Sequence, residues 1–421
     1  MTNEGNRNVR DLRRANRARL LRHLYFHGPL SRQDLIHATG LSSASVSNVV
    51  ADLLEAKVVV EAGSVESDGG RPRILLHADN ARYQVIGVDV GETRIRLERF
   101  DLRLREQASI DVPIVGRRPD PDQVVAGIAS GLGELAAGQE RRILGVGIGV
   151  PGIVQREPYA VVYGQTVGWD AVPLEELLRA HTELPLFVDN GATTMGQAEL
   201  WFGSGSTSGS AVFLLIGSGT GASLIMGGKP LRGSSTSAGE WGHTNVQVGG
   251  RLCRCGTRGC LEAYVGAPAV IARYQEAEGA AELDPADEEK ALSRIMLLAE
   301  RDRSPAGEAA RSVLEETALR IGVGIAGLVN LFNPRRVIIG GWAGLTMAPA
   351  LLAPIREATR DHALRLPFSQ TSIELGALGP DAVARGAATL PVARFLDAGG
   401  ELPALPPNTT REVGRAAAAA R

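Results

Sequence analysis

Val85-Ile86-Gly87-Val88-Asp89-Val90-Gly91-Glu92-Thr93 decides the fold, because a β-branched run carries an aspartate straight into a glycine turn. Three later segments repeat the arrangement. Leu144 to Val150 (LGVGIGV) ends at Pro151-Gly152, and Leu186-Phe187-Val188-Asp189-Asn190 leads into a helical stretch from Ala192 to Trp201. Val212 to Ile216 meets Gly217-Ser218-Gly219-Thr220-Gly221 and turns back through Gly227-Gly228. Strands that end in glycine loops and alternate with helical stretches predict an α/β protein. Each loop alone is weak evidence, since tight turns need glycine on steric grounds.

Outward toward the N-terminus the pattern changes. From Asn16 to His77 it predicts three short helices and a hairpin. The first carries Leu20, Leu21 and Leu24 on one side and stops at Gly28-Pro29. The second opens on Ser31 with Asp34 three residues later, a capping-box spacing, and closes at Gly40. The third follows Ser42 and places Val46, Val49, Val50 and Leu53 on one face, leaving Ser43, Ser45, Ser47 and Asn48 outward. Small hydrogen-bonding side chains on an exposed first turn suit a major groove. Strands at 58–62 and 74–77, linked by 64–73 with its turn at Asp68-Gly69-Gly70, make a wing whose tip carries Arg71 and Arg73 toward phosphates or a minor groove. The rival reading is a helical protein-interaction module with a solvated arginine face.

The charge balance agrees with a local DNA-binding role. The whole chain of 421 residues has 45 basic and 47 acidic side chains, which gives no overall case for nucleic acid or membrane. Residues 1–76 hold 11 basic and 8 acidic residues, a balance of +3, leaving −5 for the rest. At 44% apolar and 22% charged the chain is long enough for two or three globular domains, and fibrous or disordered classes are excluded. No apolar run approaches the roughly 18 residues of a membrane span, and MTNEGNRNVR lacks a signal-peptide core, so a cytoplasmic location is expected. The cysteines, Cys253, Cys255 and Cys260, fall within eight residues, too few and too close for a disulfide framework. Metal binding is their leading use.

In this order, with the N-terminal reading head, the segments GVDVGET, GVGIGVPG, GSGTGASLIMGGKPLRG, AGEWGH, CRCGTRGCLE and NPRRVIIGG resemble the ROK family of bacterial sugar kinases and repressors. The head resembles its repressor branch. The resemblance covers nearly the whole chain and implies a winged helix-turn-helix fused to a two-lobed, actin-like (ribonuclease H-like) ATPase fold with a sugar between the lobes. Domains are expected at 1–78 for the head, 82–189 for the small lobe with a returning helix at about 380–395, and 190–379 for the large lobe. Residues 396–421 read as a weakly structured tail. His243 with Cys253, Cys255 and Cys260 supplies one imidazole and three thiolates, and by resemblance these hold a structural zinc; four protein ligands leave no open position for an activated water. Matching positions in the family put Asn190, Glu240, His243 and Glu262 on the sugar. There, buried groups discriminate epimers because an unpaired one costs about 1–3 kcal/mol.

The kinase pattern fails at three places. ROK kinases use the aspartate of an Asn-Asp-Ala-Asn run as general base, whereas this chain reads Asn190-Gly191-Ala192-Thr193; losing a positioned base removes about 10²–10⁴ in rate. Asp189, one residue earlier on a strand, is expected to face the other way. Asp89-Val90-Gly91-Glu92-Thr93-Arg94 replaces Asp-x-Gly-Gly-Thr-Lys and sets a carboxylate where phosphate would approach, and Gly340-Gly341-Trp342 replaces three glycines beside the adenosine position. With Gly217 and Gly219, these residues read as a degenerate nucleotide site and no catalytic residue is expected. The chain is therefore read as a sugar-responsive regulator, a repressor of carbohydrate genes. It is expected to bind a palindromic duplex as a homodimer or homotetramer and to sense a monosaccharide or its phosphate. Its rival is an ATP-dependent sugar kinase with an added DNA-binding domain.

Overall fold

The structure is a computed structural model that describes residues 9–402 apart from 68, 69, 115, 117, 157 and 206–208. The head comprises α1 (Val9–His27), β1 (Leu30–Ser31), α2 (Arg32–Thr39), α3 (Ser43–Glu55), β2 (Val59–Ser67) and β3 (Gly70–Ala78). Its punctuation is local chemistry. Ser31 Oγ accepts from Asp34 N at 3.2 Å while Asp34 accepts from Ser31 N at 2.9 Å, closing a capping box, and Gly40 ends α2 at φ +66°. Ser42 caps α3, whose Val46, Val49, Val50 and Leu53 are buried against Leu20, Leu21 and Leu24 of α1.

The wing departs from its expected shape. The strands pair as far as Ser67 with Gly70, so the link shrinks to 68–69, outside the described residues, and Arg73 sits on β3 opposite Val65 rather than at a loop tip. A register shift beside Gly63, at φ +100°, bends the ribbon and lets the polar stretch stay paired. A hairpin exposed on both faces needs no apolar alternation, so the sequence understated it. Arg71 also falls on β3, with its side chain outside what is described.

The body has two lobes, each built on a five-stranded sheet. The first contains β4 (Gln84–Val90), β5 (Arg94–Asp101), β6 (Glu106–Pro113), α4 (Pro121–Ala136), β7 (Ile143–Val150), the small ribbon β8 (Ile153–Gln155), β9 (Val161–Gly164) and β10 (Trp169–Val172), α5 (Leu174–Arg179) and β11 (Leu186–Asn190). Its sheet order is β11-β7-β4-β5-β6, with β11, β7 and β4 parallel. Helix α6 (Gly191–Phe202) crosses to the second lobe of β12 (Ser210–Ile216), β13 (Thr220–Met226), β14 (Lys229–Pro230), α7 (Glu262–Val265), α8 (Ala267–Glu276), α9 (Glu288–Arg301), α10 (Pro305–Phe332), β15 (Arg336–Gly340), α11 (Trp342–His362), α12 (Arg365–Ser369) and β16 (Ser372–Leu375). Here the order is β14-β13-β12-β15-β16. Among the described residues no helix is long and apolar enough to cross a membrane.

Helix α13 (Ala382–Asp397) then returns to the first sheet. It lies so close that a Cβ on Gly87 would stand 1.9 Å from Ala384 O, and one on Gly147 1.8 Å from Ala387 O. Glycine is the residue that admits such an approach. The expected tail needs correcting here. Leu396 is buried in the head's core, Gly399 O accepts from Arg17 Nε at 2.5 Å, and Gly400 abuts Val58 and Leu21, so 396–400 seat the head on the body. The apolar face of α13 simply continues past Phe395. Residues 403–421 lie outside the described part.

Candidate sugar cleft and metal centre

A cavity of about 440 Å³ opens between the lobes. The end of β4 and its turn supply Asp89 and Glu92, β7 supplies Val150 and Gly152, and the β11–α6 junction supplies Asn190, Gly191 and Ala192. From the second lobe come Gly217 to Gly221, Glu240, His243, Glu262, Gly341 and Trp342. All four expected sugar residues and all six expected nucleotide residues therefore share one cleft. Tyr163, Gln165, Thr166 and Thr236 also line it, from the β9 ribbon and a loop that carry no motif.

The metal centre is compact. One ligand atom from each of His243, Cys253, Cys255 and Cys260 lies within 4.8 Å of the others, with Cys255 and Cys260 Sγ 3.7 Å apart and His243 Nδ1 3.8 Å from Cys253 Sγ. A tetrahedral ion with bonds of about 2.3 Å to sulfur needs S···S separations of about 3.8 Å, so the cluster fits a metal ion. Gly256 at φ +91° and Gly259 at φ +84° allow the chain to turn tightly enough to bring the thiols together. His243 Nε2 faces Glu240 Oε2 at 3.9 Å, so ligation through Nδ1 leaves the other nitrogen for the cleft.

Two of the sugar candidates are already tied internally. Asn190 Oδ1 accepts from Thr193 N at 3.1 Å, capping α6, and its Nδ2 donates to Gly152 O at 2.8 Å. Glu262 is buried and accepts from Thr220 N at 2.8 Å. These bonds fix the orientation of both side chains in the cleft wall. Asp189 faces away, as alternation requires: Arg232 clamps it at 3.1 and 2.9 Å, and Arg156 joins them.

The phosphate side is filled by the chain itself. Arg254, between the metal cysteines, pairs with Glu92 across the cleft, donates to Ser218 O at 2.9 Å and approaches Glu262 Oε1 at 3.4 Å. A Cβ on Gly219 would lie 3.5 Å from Glu92 Oε1, and one on Gly217 3.2 Å from the Trp342 indole nitrogen. The sequence reading missed Arg254; its only signal was a basic residue inside CRC. Gly191 opens α6 with room beside it, since a Cβ there would meet only Val383 at 3.6 Å and Val150 O at 3.7 Å.

Asp89 sits deep in the cleft, and burial pushes its carboxyl from 3.8 up to about 7. The fold thus holds a proton that the unfolded chain releases near pH 4. The stabilisation is full below about pH 4 and is lost as pH rises through about 7. Asp89→Asn is expected to flatten that decline and to melt higher than the unsubstituted protein at pH 8. Parallel melting curves for the two proteins between pH 4 and 8 would refute the assignment.

In the head, Ser43, Ser47 and Asn48 are exposed along α3, while Ser45 is half-buried and takes a 2.9 Å hydrogen bond from Ser42 Oγ. Arg73 is exposed on the wing.

A description of the ROK family matches residues 85–393. The chain belongs to the ROK family. A MarR family description matches residues 10–69, the head of this ROK protein. It is similar to a xylose repressor of Caldicellulosiruptor bescii, 29% identical over 91% of this chain and 97% of the relative. It is also similar to a glucokinase of Halalkalibacterium halodurans, 30% identical over 70% of this chain and 91% of that enzyme. The crystal structure of a ROK family transcriptional regulator, a homologue of the E. coli MLC protein, shares its fold with a TM-score of 0.74 at 24% identity, covering 92% and 98% of the two chains. The repressor match spans too much of this chain to leave out the head.

Proposed function

We propose that this ROK protein is a DNA-binding transcriptional repressor of carbohydrate genes whose kinase-like cleft senses an unphosphorylated monosaccharide and performs no phosphoryl transfer. The observation that carries the reading is one chain joining a winged head to a cleft that gathers Asn190, Glu240, His243 and Glu262 with glycine at 191. His243, Cys253, Cys255 and Cys260 hold a structural zinc, whose role is to fix the loop bearing Glu262 and Arg254. Ser43, Ser45, Ser47 and Asn48 read base edges, and Arg71 and Arg73 contact the backbone. Paired heads require half-sites about 34–36 Å apart, or a multiple, on a palindromic duplex.

The charge of the cleft selects the ligand. Glu92, Glu240 and Glu262 line it beside Asp89, whose carboxyl holds its proton up to about pH 7, and no lysine or arginine does among the described residues. Arg254 stands nearby but already serves Glu92, Glu262 and Ser218 O. A phosphate ester entering here meets like charge without a free cation, and an uncharged sugar does not. The same argument opposes nucleotide: Glu92 and Trp342 occupy the space over the glycine loop.

The test is a thermal-shift screen of zinc-loaded protein against monosaccharides, their 6-phosphates and ATP. A free sugar at about a hundred times its Kd should add about 2.7 kcal/mol, with silence from the phosphates and ATP. A shift with ATP, and ADP release on adding a sugar, would establish the kinase reading that the glucokinase relative favours. In a gel shift on the gene's own upstream DNA, binding should weaken steeply with salt, and Asn48→Ala should weaken it further; salt-independent binding would sink the DNA-binding role. Gly191→Asp should fold normally, since the space is there, and should gain no kinase activity while Glu92 and Arg254 stay in place.

A further inference from the structure

Helix α6 has one end in the cleft and the other beneath the head. Asn190, its cap, and Gly191 and Ala192 of its first turn line the cavity. About 16 Å along the axis, at 1.5 Å per residue, Trp201 stands edge-on to Phe26 of α1 with ring centroids 5.0 Å apart. Phe202 meets Tyr25 at 6.4 Å, and the Arg22 guanidinium lies 5.4 Å over Phe26 and 5.7 Å over Trp201.

The head is also tied to the first lobe, because Tyr25 donates its hydroxyl proton to Leu102 O at 2.5 Å just beyond β5. It therefore straddles two bodies. Strand β11 belongs to the first sheet and β12 to the second, so α6 is one of the two connections between the lobes, the other running from β16 to α13, and a change in lobe angle must reorient it. Helix α13 follows, since Gly386 lets it touch the backbone of α6 at Thr194 O; its own Val383 lines the cleft while Phe395 and Leu396 sit in the head's core.

We propose that α6 is the lever through which cleft occupancy acts on the DNA-reading head, with Trp201 as the positioning residue at its working end. The proposal rests on the sugar-sensing reading above. A ligand drawn against Asn190 stabilises one lobe angle. At that angle the Trp201–Phe26 contact and the Tyr25–Leu102 bond are satisfied together only for one placement of α1, and α3 moves with α1 because they share a core. The shared core of α1 and α3 makes the head take up the motion as a body.

The experiment uses the full chain as wild type, Trp201→Leu and Trp201→Phe. D-xylose and D-glucose are the probes by calorimetry, and affinity for a labelled duplex from the gene's own upstream region is measured with and without each sugar. The wild type should change its DNA affinity about 5–150-fold on binding sugar, the usual range of such couplings. Trp201→Leu should bind sugar as well as wild type and bind DNA in its absence, yet lose most of that change; Trp201→Phe should keep it. An unchanged response in Trp201→Leu overturns the lever and leaves the sensor standing. Loss of sugar-free DNA binding in both variants overturns it too, by making the aromatic cluster part of the head's own fold. A wild type that binds sugar without altered DNA affinity likewise overturns it. A wild type that binds neither sugar removes the sensor reading and the lever together, a distinct pattern.

Discussion

Cys260→Ser is expected to release the metal, disorder the segment from His243 to Glu262 and abolish the thermal response to sugar. Beyond the ligands, that segment is held by single hydrogen bonds such as Val246 N to Gly259 O and Leu261 N to Thr244 O, by the Arg251–Glu276 pair and by buried Leu261. Its regular structure amounts to a short turn at Trp241–His243 and two isolated bridges, Asn245 with Cys260 and Leu252 with Arg258, and Val248 and Leu252 stand in solvent. In small zinc peptides the apparent metal-binding energy is about 10–16 kcal/mol, so an ion held by these four ligands would contribute strongly to the shape of the loop. The loss reaches the cleft because Arg254 lies between the ligands and Glu262 follows the last of them. Metal content by atomic emission, followed by the sugar thermal shift on the same sample, checks the result. A metal-free variant that still binds sugar normally would end the structural role for the ion.

Gly147→Ala is the second large effect. The new methyl would meet Ala387 O at 1.8 Å and its carbonyl carbon at 2.4 Å, both backbone atoms within α13 that cannot swing aside. Overpacking of this kind costs about 1–3 kcal/mol and sometimes more, and rigid helix backbone on the far side places this substitution at the upper end. Because α13 carries Phe395, Leu396 and Gly399 to the head, the variant should bind DNA less tightly even where it remains folded. Gly133→Ala is the control: nothing lies within 4 Å of its Cβ on α4, and it should be neutral or stabilising by about 0.5–1 kcal/mol. Equal melting temperatures for the two variants would remove the close-approach argument.

What could be read in advance was what short spacing controls. Ser31 with Asp34, Gly40 and Ser42 act within one helical turn, and they sit where the spacing placed them. The three cysteines converge because fewer than eight residues separate them, and His243 joins them from ten residues upstream. Long-range pairings left no such mark. Arg254 meets Glu92 from 162 residues away, and Trp201, which looked like the end of an ordinary helix, faces α1. The wing was underestimated because exposed polar strands lack the alternation that betrays a half-buried one. The stretch after Phe395 reads as a tail in the sequence because the head that covers it lies hundreds of residues away along the chain.

That last contact has a consequence for biosynthesis. The head precedes both lobes in the chain and contains its own helices and hairpin, but part of the surface it rests on, from Ala388 to Gly400, is translated only after both sheets. The helix that packs on β4 and β7 arrives at the same late moment. A nascent or prematurely terminated chain can therefore present a DNA-reading unit whose seat on the body is incomplete, and the first sheet stays open on one side until α13 is made.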